Sequence, residues 1–181
     1  MLEQYDAGSR DTTIRPLAIA DLTSVLPLVV SAHLLDQDAG AVAYPSYTIA
    51  DLAKFERFMR WRLGLDSTGQ PNAPLFAGVV AAGKDKVQGC AYGHLETRLV
   101  GSPARVLVLE QLVTTRSWRE STEPRLLAAF VKWGRQRGAE TLEVEYAPGS
   151  AQAAAWVARG AVPFTIRAMA RVEAPAAGGG L

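Results

Sequence analysis

The sequence predicts one α/β domain built on a mixed β-sheet, and two observations lead to this fold class. The chain has 181 residues, a length that suits a single domain with a sizeable buried core. Its apolar residues recur at helical spacing or in short strand-like runs, in the order strand, two helices, three strands, helix, strand, helix, strand. The strand–helix–strand unit within residues 105–146 predicts one parallel pair, because a crossover helix joins strands that run in the same direction.

The first third of the chain predicts one short strand followed by two helices. The strand covers residues 13–17, and the first helix begins at Asp21 or Ser24. The second helix follows the loop 36–47 and repeats apolar residues at helical spacing. We expect the opposite face of this second helix to be solvated rather than to form a binding patch; it carries Lys54, Arg57, Arg60 and Arg62.

The rest of the chain predicts an antiparallel meander, a crossover helix to a parallel strand, and a final helix and strand. Gly138 ends the crossover helix, because glycine readily adopts the left-handed conformation found after a helix. We place the domain at residues 12–173 and expect the tails, 1–11 and 174–181, to be flexible. The predicted elements are the meander 75–115, a helix from Pro124 to Gly138, a strand from Thr141 to Tyr146, a helix from Ala151 to Arg159 and a strand from Phe164 to Val172.

Composition limits the classes of function. The formal net charge is +1, and no basic stripe is interleaved with aromatic residues, so we expect neither nucleic acid nor a membrane as partner. With His33, His94 and Cys90 as the only residues of their types, we expect no metal site. Cys90 lies in an apolar stretch and is expected to be a core thiol rather than a reactive one. The first residues do not read as a signal peptide, which favours the cytoplasm.

The segment Val108-Leu-Glu-Gln-Leu-Val113 resembles the Ile-Glu-Asp-Leu-Val strand of the GNAT superfamily of N-acetyltransferases. Trp118-Arg119 stands where that family commonly has Tyr-Arg, and residues 125–144 are similar to its amphipathic helix and following strand. The resemblance covers about residues 12–172 and implies the GNAT fold. That fold is a mixed, mostly antiparallel sheet of six to seven strands with about four helices and a parallel pair around the cofactor cleft. The resemblance also implies acetyl-CoA as cosubstrate.

The family binds the pyrophosphate of coenzyme A on an Arg/Gln-x-x-Gly-x-Gly/Ala loop at a helix N-terminus, where backbone N–H groups face the anion. The matching stretch here is Arg119-Glu-Ser-Thr-Glu-Pro124, in which both glycines are replaced. Thr122 adds a β-branched side chain, and Pro124 removes an N–H donor. Glu120 and Glu123 each add a carboxylate, which would repel a unit negative charge ~4 Å away by about 4 kcal/mol at an effective dielectric near 20.

Two interpretations of this stretch remain open. In the first, side chains replace the lost backbone donors, since guanidinium and hydroxyl groups bind phosphate; the candidates are Arg119, Ser121, Thr122 and Arg125. In the second, the arginines of this region, which include Arg116, pair with Glu120 and Glu123 and only close the loop. The resemblance further implies that backbone amides near Leu112 and Val113 contact the pantetheine arm and the thioester oxygen.

Acyl transfer to an amine needs a group that removes a proton from the ammonium. Glu110 matches the position where many relatives carry an acidic residue, which implies a general base acting directly or through water; the alternative is a charge on the outer face of the strand. Glu96 is a weaker rival. Trp156 stands in the register of the family's acid Tyr but cannot release its proton at neutral pH, so Tyr146 is a candidate replacement and Trp156 is expected to be a core aromatic.

Two functions are compatible with these observations. The first is an acyl-CoA-dependent N-acetyltransferase acting on an amine of a small molecule or a protein. The second is a catalytically inactive GNAT-fold module that binds a small molecule or a partner protein. Tyr44 and Tyr47 are expected to border the acceptor pocket, because this segment varies with substrate in the family. A homodimer is compatible with such a sheet, which leaves an edge strand open.

Overall fold

The computed structural model describes residues 12–38, 49–84, 86–98, 104–115, 119–144 and 151–161. Within these ranges the chain forms five strands and four α-helices, with a short 3-10 turn before the first helix. The elements are β1 (Thr13–Pro16), α1 (Leu22–Asp38), α2 (Ile49–Leu63), β2 (Phe76–Ala82), β3 (Val87–Arg98), β4 (Ala104–Thr114), α3 (Arg119–Arg135), β5 (Thr141–Val144) and α4 (Ala151–Ala158).

The described strands form one mixed sheet in the order β1-β2-β3-β4-β5. Neighbouring strands are antiparallel from β1 to β4, whereas β5 is parallel to β4 and pairs Thr141–Val144 with Val106–Leu109. The mixed, mostly antiparallel sheet and the parallel pair predicted within residues 105–146 are therefore confirmed. The predicted last strand, 164–172, lies outside the described residues, as do the two tails that the sequence predicts to be flexible.

Helices pack on both faces of the sheet, and each face has its own buried cluster. On one face, α1 and α2 contribute the fully buried side chains of Leu22 and Met59 to a cluster that includes Val80. On the other face, Leu126 and Phe130 of α3 are fully buried in a cluster that includes Leu107. The apolar faces predicted for these three helices are thus confirmed. We refer to the two sides as the α1–α2 face and the α3 face.

Helix α3 begins earlier than the sequence predicts. The favourable position of proline in a first helical turn suggested a start at Pro124. The helix instead begins at Arg119, and Pro124 lies inside it, where the missing N–H removes one helical hydrogen bond. The stretch compared with the phosphate loop is therefore helical. The helix ends at Arg135, three residues before the predicted Gly138, and the chain turns through residues 136–138, where Gly138 has a φ of 81°.

Candidate active site

A β-bulge in β4 presents Glu110 on the sheet. In the register between β3 and β4, Tyr92 lies opposite Gln111, and Gly93 lies opposite Leu109. Glu110 is consequently an additional residue on β4, inserted between these two pairs. It directly follows Leu109, the last β4 residue that pairs with β5 in the described part of the chain. The bulge therefore places a carboxylate beside the end of the parallel ladder.

Arg62 of α2 holds the carboxylate of Glu110. Its Nη1 and Nη2 donate to Oε2 and Oε1 of Glu110, each over 2.6 Å, in the two-pronged geometry that suits a guanidinium and a carboxylate. The Arg62 guanidinium carbon also lies 4.0 Å from the ring centre of Phe76 and 4.9 Å from that of Phe58. The side chains of Arg62 and Glu110 are 11% and 27% exposed, so Arg62 does not belong to a solvated face as the sequence suggested.

The surroundings of Glu110 act on its pKa in opposite directions. Burial raises the pKa, because desolvation disfavours the charged carboxylate. The hydrogen bonds and the charge of Arg62 lower it, and contact with His94 lowers it further. The combined effect holds the pKa of Glu110 below its ordinary value of 4.5. Glu110 is therefore ionised at neutral pH and, in this arrangement, is a weak base.

A row of charged and polar side chains continues from Glu110 along the sheet. His94 lies between two carboxylates, with Nδ1 2.6 Å from Oε1 of Glu110 and Nε2 3.0 Å from Oε1 of Glu96. Nη2 of Arg98 then lies 3.1 Å from Oε2 of Glu96 and donates to Oε2 of Glu143 over 2.7 Å. We call the following six residues the polar row: Arg62, Glu110, His94, Glu96, Arg98 and Glu143.

Strand geometry explains why these side chains meet. His94, Glu96 and Arg98 occupy alternate positions of β3 and therefore share one face of the sheet. The buried Tyr92, two positions before His94, belongs to the cluster of the α1–α2 face, so the polar row lies on that face. Sequence reasoning identified Glu110 and Glu96 as candidates but missed His94 and Arg62. The alternation of polar residues at the end of a long strand was the available signal for His94.

Leu112 and Val113 occupy β4 beyond the bulge, opposite Ala91 and Cys90. Val113 packs in the cluster of the α1–α2 face, and Leu112 packs against that of the α3 face. Cys90 is fully buried, which confirms the expectation of a core thiol, and burial raises its pKa to about 12. The contacts expected from Leu112 and Val113 involve their backbone amides and stay a prediction.

The first turns of α3 carry the residues compared with the phosphate loop. The backbone of Arg119 opens the helix, and Ser121 is half-buried. Thr122 is fully buried, and its hydroxyl has no hydrogen-bond partner among the described residues. Oε1 of Glu123 accepts a hydrogen bond from Nη2 of Arg159 over 2.7 Å, a pairing that the sequence did not suggest. One of the two acidic charges of this stretch is thus balanced from the end of α4.

The structure describes some, but not all, of the remaining residues that the sequence associates with the cofactor and the acceptor. Nη2 of Arg125 donates to the carbonyl oxygen of Thr12 over 3.0 Å, which ties α3 to the start of the domain. Trp156 is half-buried and packs against the cluster of the α3 face, as expected for a core aromatic, with the guanidinium of Arg159 5.1 Å from its ring centre. The following residues lie outside the described ranges: Tyr44, Tyr47, Arg116, Trp118 and Tyr146.

Comparison with solved structures identifies the fold. The chain is similar to an aminoglycoside acetyltransferase from an uncultured soil metagenomic sample in complex with sisomicin, with a TM-score of 0.60 and 15% identity over 90% of this chain and 97% of that one. It is also similar to glucosamine-6-phosphate N-acetyltransferase from Arabidopsis thaliana, with a TM-score of 0.59 and 14% identity over 90% and 99%. The structure of AAC(6')-Iy in complex with the bisubstrate analogue CoA-S-monomethyl-acetylneamine gives a TM-score of 0.61 and 16% identity over 90% and 98%.

The chain therefore has the fold of the GNAT acetyltransferases. No protein-family model and no curated protein match the sequence significantly. No helix in the described ranges combines the length and the apolar character needed to cross a membrane. The same ranges contain no group of three or more His, Cys, Asp or Glu side chains placed to bind a metal ion.

Proposed function

We propose that this protein is an acyl-CoA-dependent N-acetyltransferase that transfers an acetyl group from acetyl-CoA to an amine of a small molecule or a protein. The observation that carries the proposal is the ionised carboxylate of Glu110, which lies on the bulge of β4 beside the end of the parallel pair. The names of the similar aminoglycoside and glucosamine-6-phosphate enzymes support a small-molecule amine as acceptor. The CoA analogue bound to AAC(6')-Iy supports acetyl-CoA as donor. A cytoplasmic location and a homodimer remain predictions.

Each candidate residue has a role in this proposal. Glu110 removes a proton from the acceptor ammonium, directly or through one water molecule. Backbone N–H groups near Leu112 and Val113 stabilise the thioester oxygen and bind the pantetheine arm. Tyr146 donates a proton to the departing thiolate, although a thiol with a pKa near ~8.5 is a fair leaving group without this help. Acetyl-CoA supplies the activated acyl group.

The first turn of α3 is a better fit to the anionic end of coenzyme A than the sequence alone suggests. The N–H groups at the start of the helix and its dipole favour an anion in front of Arg119. Arg159 balances the charge of Glu123 and so removes part of the repulsion that the sequence predicts. The proposed phosphate ligands are Arg119, Ser121, Thr122 and Arg125. Thr122 contributes only if the first turn opens, because its hydroxyl is fully buried.

Calorimetric titration with acetyl-CoA tests the donor. We expect micromolar binding by the wild type, weakened by about tenfold in Arg119→Ala, which loses one charge-assisted hydrogen bond to phosphate. We expect a similar loss in Arg159→Ala, because the charge of Glu123 is then unbalanced beside the anion. Arg137→Ala is the matched control, because the guanidinium of Arg137 also lies over a tryptophan ring, at 4.8 Å, but near the end of α3. Absence of heat at millimolar acetyl-CoA contradicts the proposed function.

Turnover tests the acceptor and Glu110. Release of free CoA thiol is measured with four amines: sisomicin, glucosamine 6-phosphate, spermidine and a dipeptide with a free amino group. We expect at least one amine to be acetylated, and Glu110→Gln to slow this reaction by roughly a hundredfold. Glu56→Gln is the control, because Glu56 forms an exposed pair with Arg60 on α2. Unchanged turnover in Glu110→Gln excludes Glu110 as the base.

A catalytically inactive GNAT-fold module that binds a small molecule or a partner protein is the second candidate. The clamp of Arg62 on Glu110 favours it, because it makes the carboxylate a weak base. Both loop glycines of the family pattern are also absent. If the wild type neither binds acetyl-CoA nor acetylates any of the four amines, this second function replaces the first.

A further inference from the structure

Glu110 is poorly suited to keep a proton that it removes from an amine. Both of its oxygens accept hydrogen bonds from Arg62, and Oε1 also faces Nδ1 of His94. Protonation of this carboxylate would disrupt a two-pronged ion pair whose partner is only 11% exposed. A neighbouring base that takes the proton from Glu110 at once would keep this ion pair intact during turnover at neutral pH.

His94 has the position and the chemistry of that second group. Its Nδ1 lies 2.6 Å from Oε1 of Glu110, within the range for direct proton transfer. An imidazole is ordinarily about two pKa units more basic than a glutamate carboxyl. Its second nitrogen lies 3.0 Å from Glu96, whose side chain is 41% exposed. The three side chains thus form a continuous path from the bulge to solvent.

We propose that His94 carries the proton of the acceptor ammonium from Glu110 to solvent by way of Glu96, an inference that rests on the proposed function. The N–H bond of the ammonium breaks, the nitrogen keeps the electron pair, and the proton passes by way of Oε1 of Glu110 to Nδ1 of a neutral imidazole whose own proton is on Nε2. The proton on Nε2 is then released through Glu96 to water, and exchange of the remaining Nδ1 proton with solvent restores the accepting tautomer. The amine forms its bond to the acyl carbon as the carbon–sulfur bond breaks, the second proton of the nitrogen passes to the departing thiolate, and the net products are the amide, the CoA thiol and one proton.

The net charge of the polar row depends on whether the imidazole of His94 carries one proton or two. From β4 it faces Glu110, and from β3 it faces Glu96, which contacts Arg98. Beyond these, Arg62 of α2 binds Glu110, and Glu143 of β5 binds Arg98. With imidazolium at His94 the six members of the polar row alternate in sign and sum to zero, whereas neutral imidazole leaves one net negative charge. The neutral form is the one that can accept a proton, so the relay predicts that kcat/KM rises with pH.

Two measurements on the intact protein test this relay. The chain has two histidines, so imidazole NMR spectra of the wild type and His94→Gln assign the signals of His94 directly. Its titration midpoint is then compared with the midpoint of the pH dependence of kcat/KM, measured with the amine that gives turnover above. We expect the two midpoints to agree and the NMR midpoint to move in Glu110→Gln. His33→Gln is the matched control and leaves the rate profile unchanged.

Substitution of His94 provides the second readout. We expect His94→Gln to lower kcat/KM by about tenfold to a hundredfold and to remove this limb of the pH profile. His94→Asn guards against a folding defect, and in His94→Gly added imidazole restores part of the lost rate. A wild-type rate and an unchanged profile in His94→Gln and His94→Asn overturn the relay while the proposed function stands. Absence of turnover in the wild type, by contrast, overturns the proposed function itself, and the relay with it.

Discussion

Replacing Arg62 by Met tests whether the clamp on Glu110 is an energetically significant contact of the fold. Methionine keeps most of the side-chain length but removes the guanidinium that donates to both oxygens of Glu110 and stacks on Phe76. The variant leaves the carboxylate of Glu110 half-buried without its main counter-charge. We therefore expect Arg62→Met to lower the free energy of unfolding at neutral pH.

The magnitude follows from burial and geometry. Removing one partner of a fully buried ion pair costs about 3–5 kcal/mol, whereas exposed pairs contribute ~0.2–1 kcal/mol. Arg62 and Glu110 are 11% and 27% exposed, so the pair lies between these two cases. Two charge-assisted hydrogen bonds and a cation–π contact place it above an ordinary exposed pair. We expect a loss of about 2 kcal/mol in Arg62→Met, of which about 1 kcal/mol is specific coupling to Glu110.

Urea unfolding of a double-mutant cycle isolates this coupling from the packing that methionine changes. The cycle consists of Arg62→Met, Glu110→Met and the double variant. The matched control is the same cycle on Arg60 and Glu56, an exposed i,i+4 pair on α2 with side chains 48% and 37% exposed. For that pair we expect a coupling energy of about 0.3–0.5 kcal/mol.

The pH dependence of the coupling has a defined sign. The pKa of Glu110 is lowered by folding, so its contribution to stability is complete above the unfolded value of 4.5. It declines below about pH 4.5, as the unfolded chain takes up the proton first, and disappears once the folded carboxyl is protonated. A coupling for Arg62–Glu110 no larger than that of the control pair, or one unchanged between about pH 7 and pH 4, would refute this reasoning.

Three further predictions concern backbone fit and thiol chemistry. Gly93→Ala should cost about 3 kcal/mol or more in urea unfolding, because a Cβ there would overlap the carbonyl oxygen of Val108 at the bulge; a normal midpoint would contradict the register. Gly138→Ala should lower the free energy of unfolding in urea by about 1 kcal/mol, because the φ of Gly138 is 81° and its surroundings are open. Gly138→Asn should lower it by less, because asparagine tolerates this backbone conformation better. Cys90 should resist alkylation near pH 8 in the native state and react in urea, since burial raises its pKa to about 12; fast native labelling would disprove its burial.

The fold could be predicted because its determinants are local in the sequence. The apolar spacing of α2 and α3 lies within about four turns of each helix, and the crossover between β4 and β5 requires a parallel pair. Gly138 and Gly160 both adopt positive φ where the sequence predicts helix ends. Each of these features depends on residues that are close together along the chain, so one sequence is sufficient to read them.

The start of α3 could not be predicted, because local preference and tertiary packing disagree there. Proline is favoured in the first turn of a helix, which pointed to Pro124. The residues before it include Ser and Thr, which favour helix caps as much as helix interiors. Thr122 is fully buried, and this packing stabilises an additional turn that local propensity does not require. The partner of Glu123 was missed for the same reason, since Arg159 lies 36 residues away in sequence.

The charge pattern of the sequence does not reveal which side chains of the polar row contact one another in the fold. The sequence places Arg62 on a basic helix face beside three other cations, and such faces are usually solvated. Arg62 differs from them only in that α2 brings it over Phe76 and within reach of Glu110, 48 residues further along the chain. A guanidinium can stack on a ring and bind both carboxylate oxygens at once, which a lysine ammonium cannot do. A displacement of α2 would therefore move the Glu110 carboxylate, so the helix that follows the predicted acceptor-binding segment also sets the position of the proposed base.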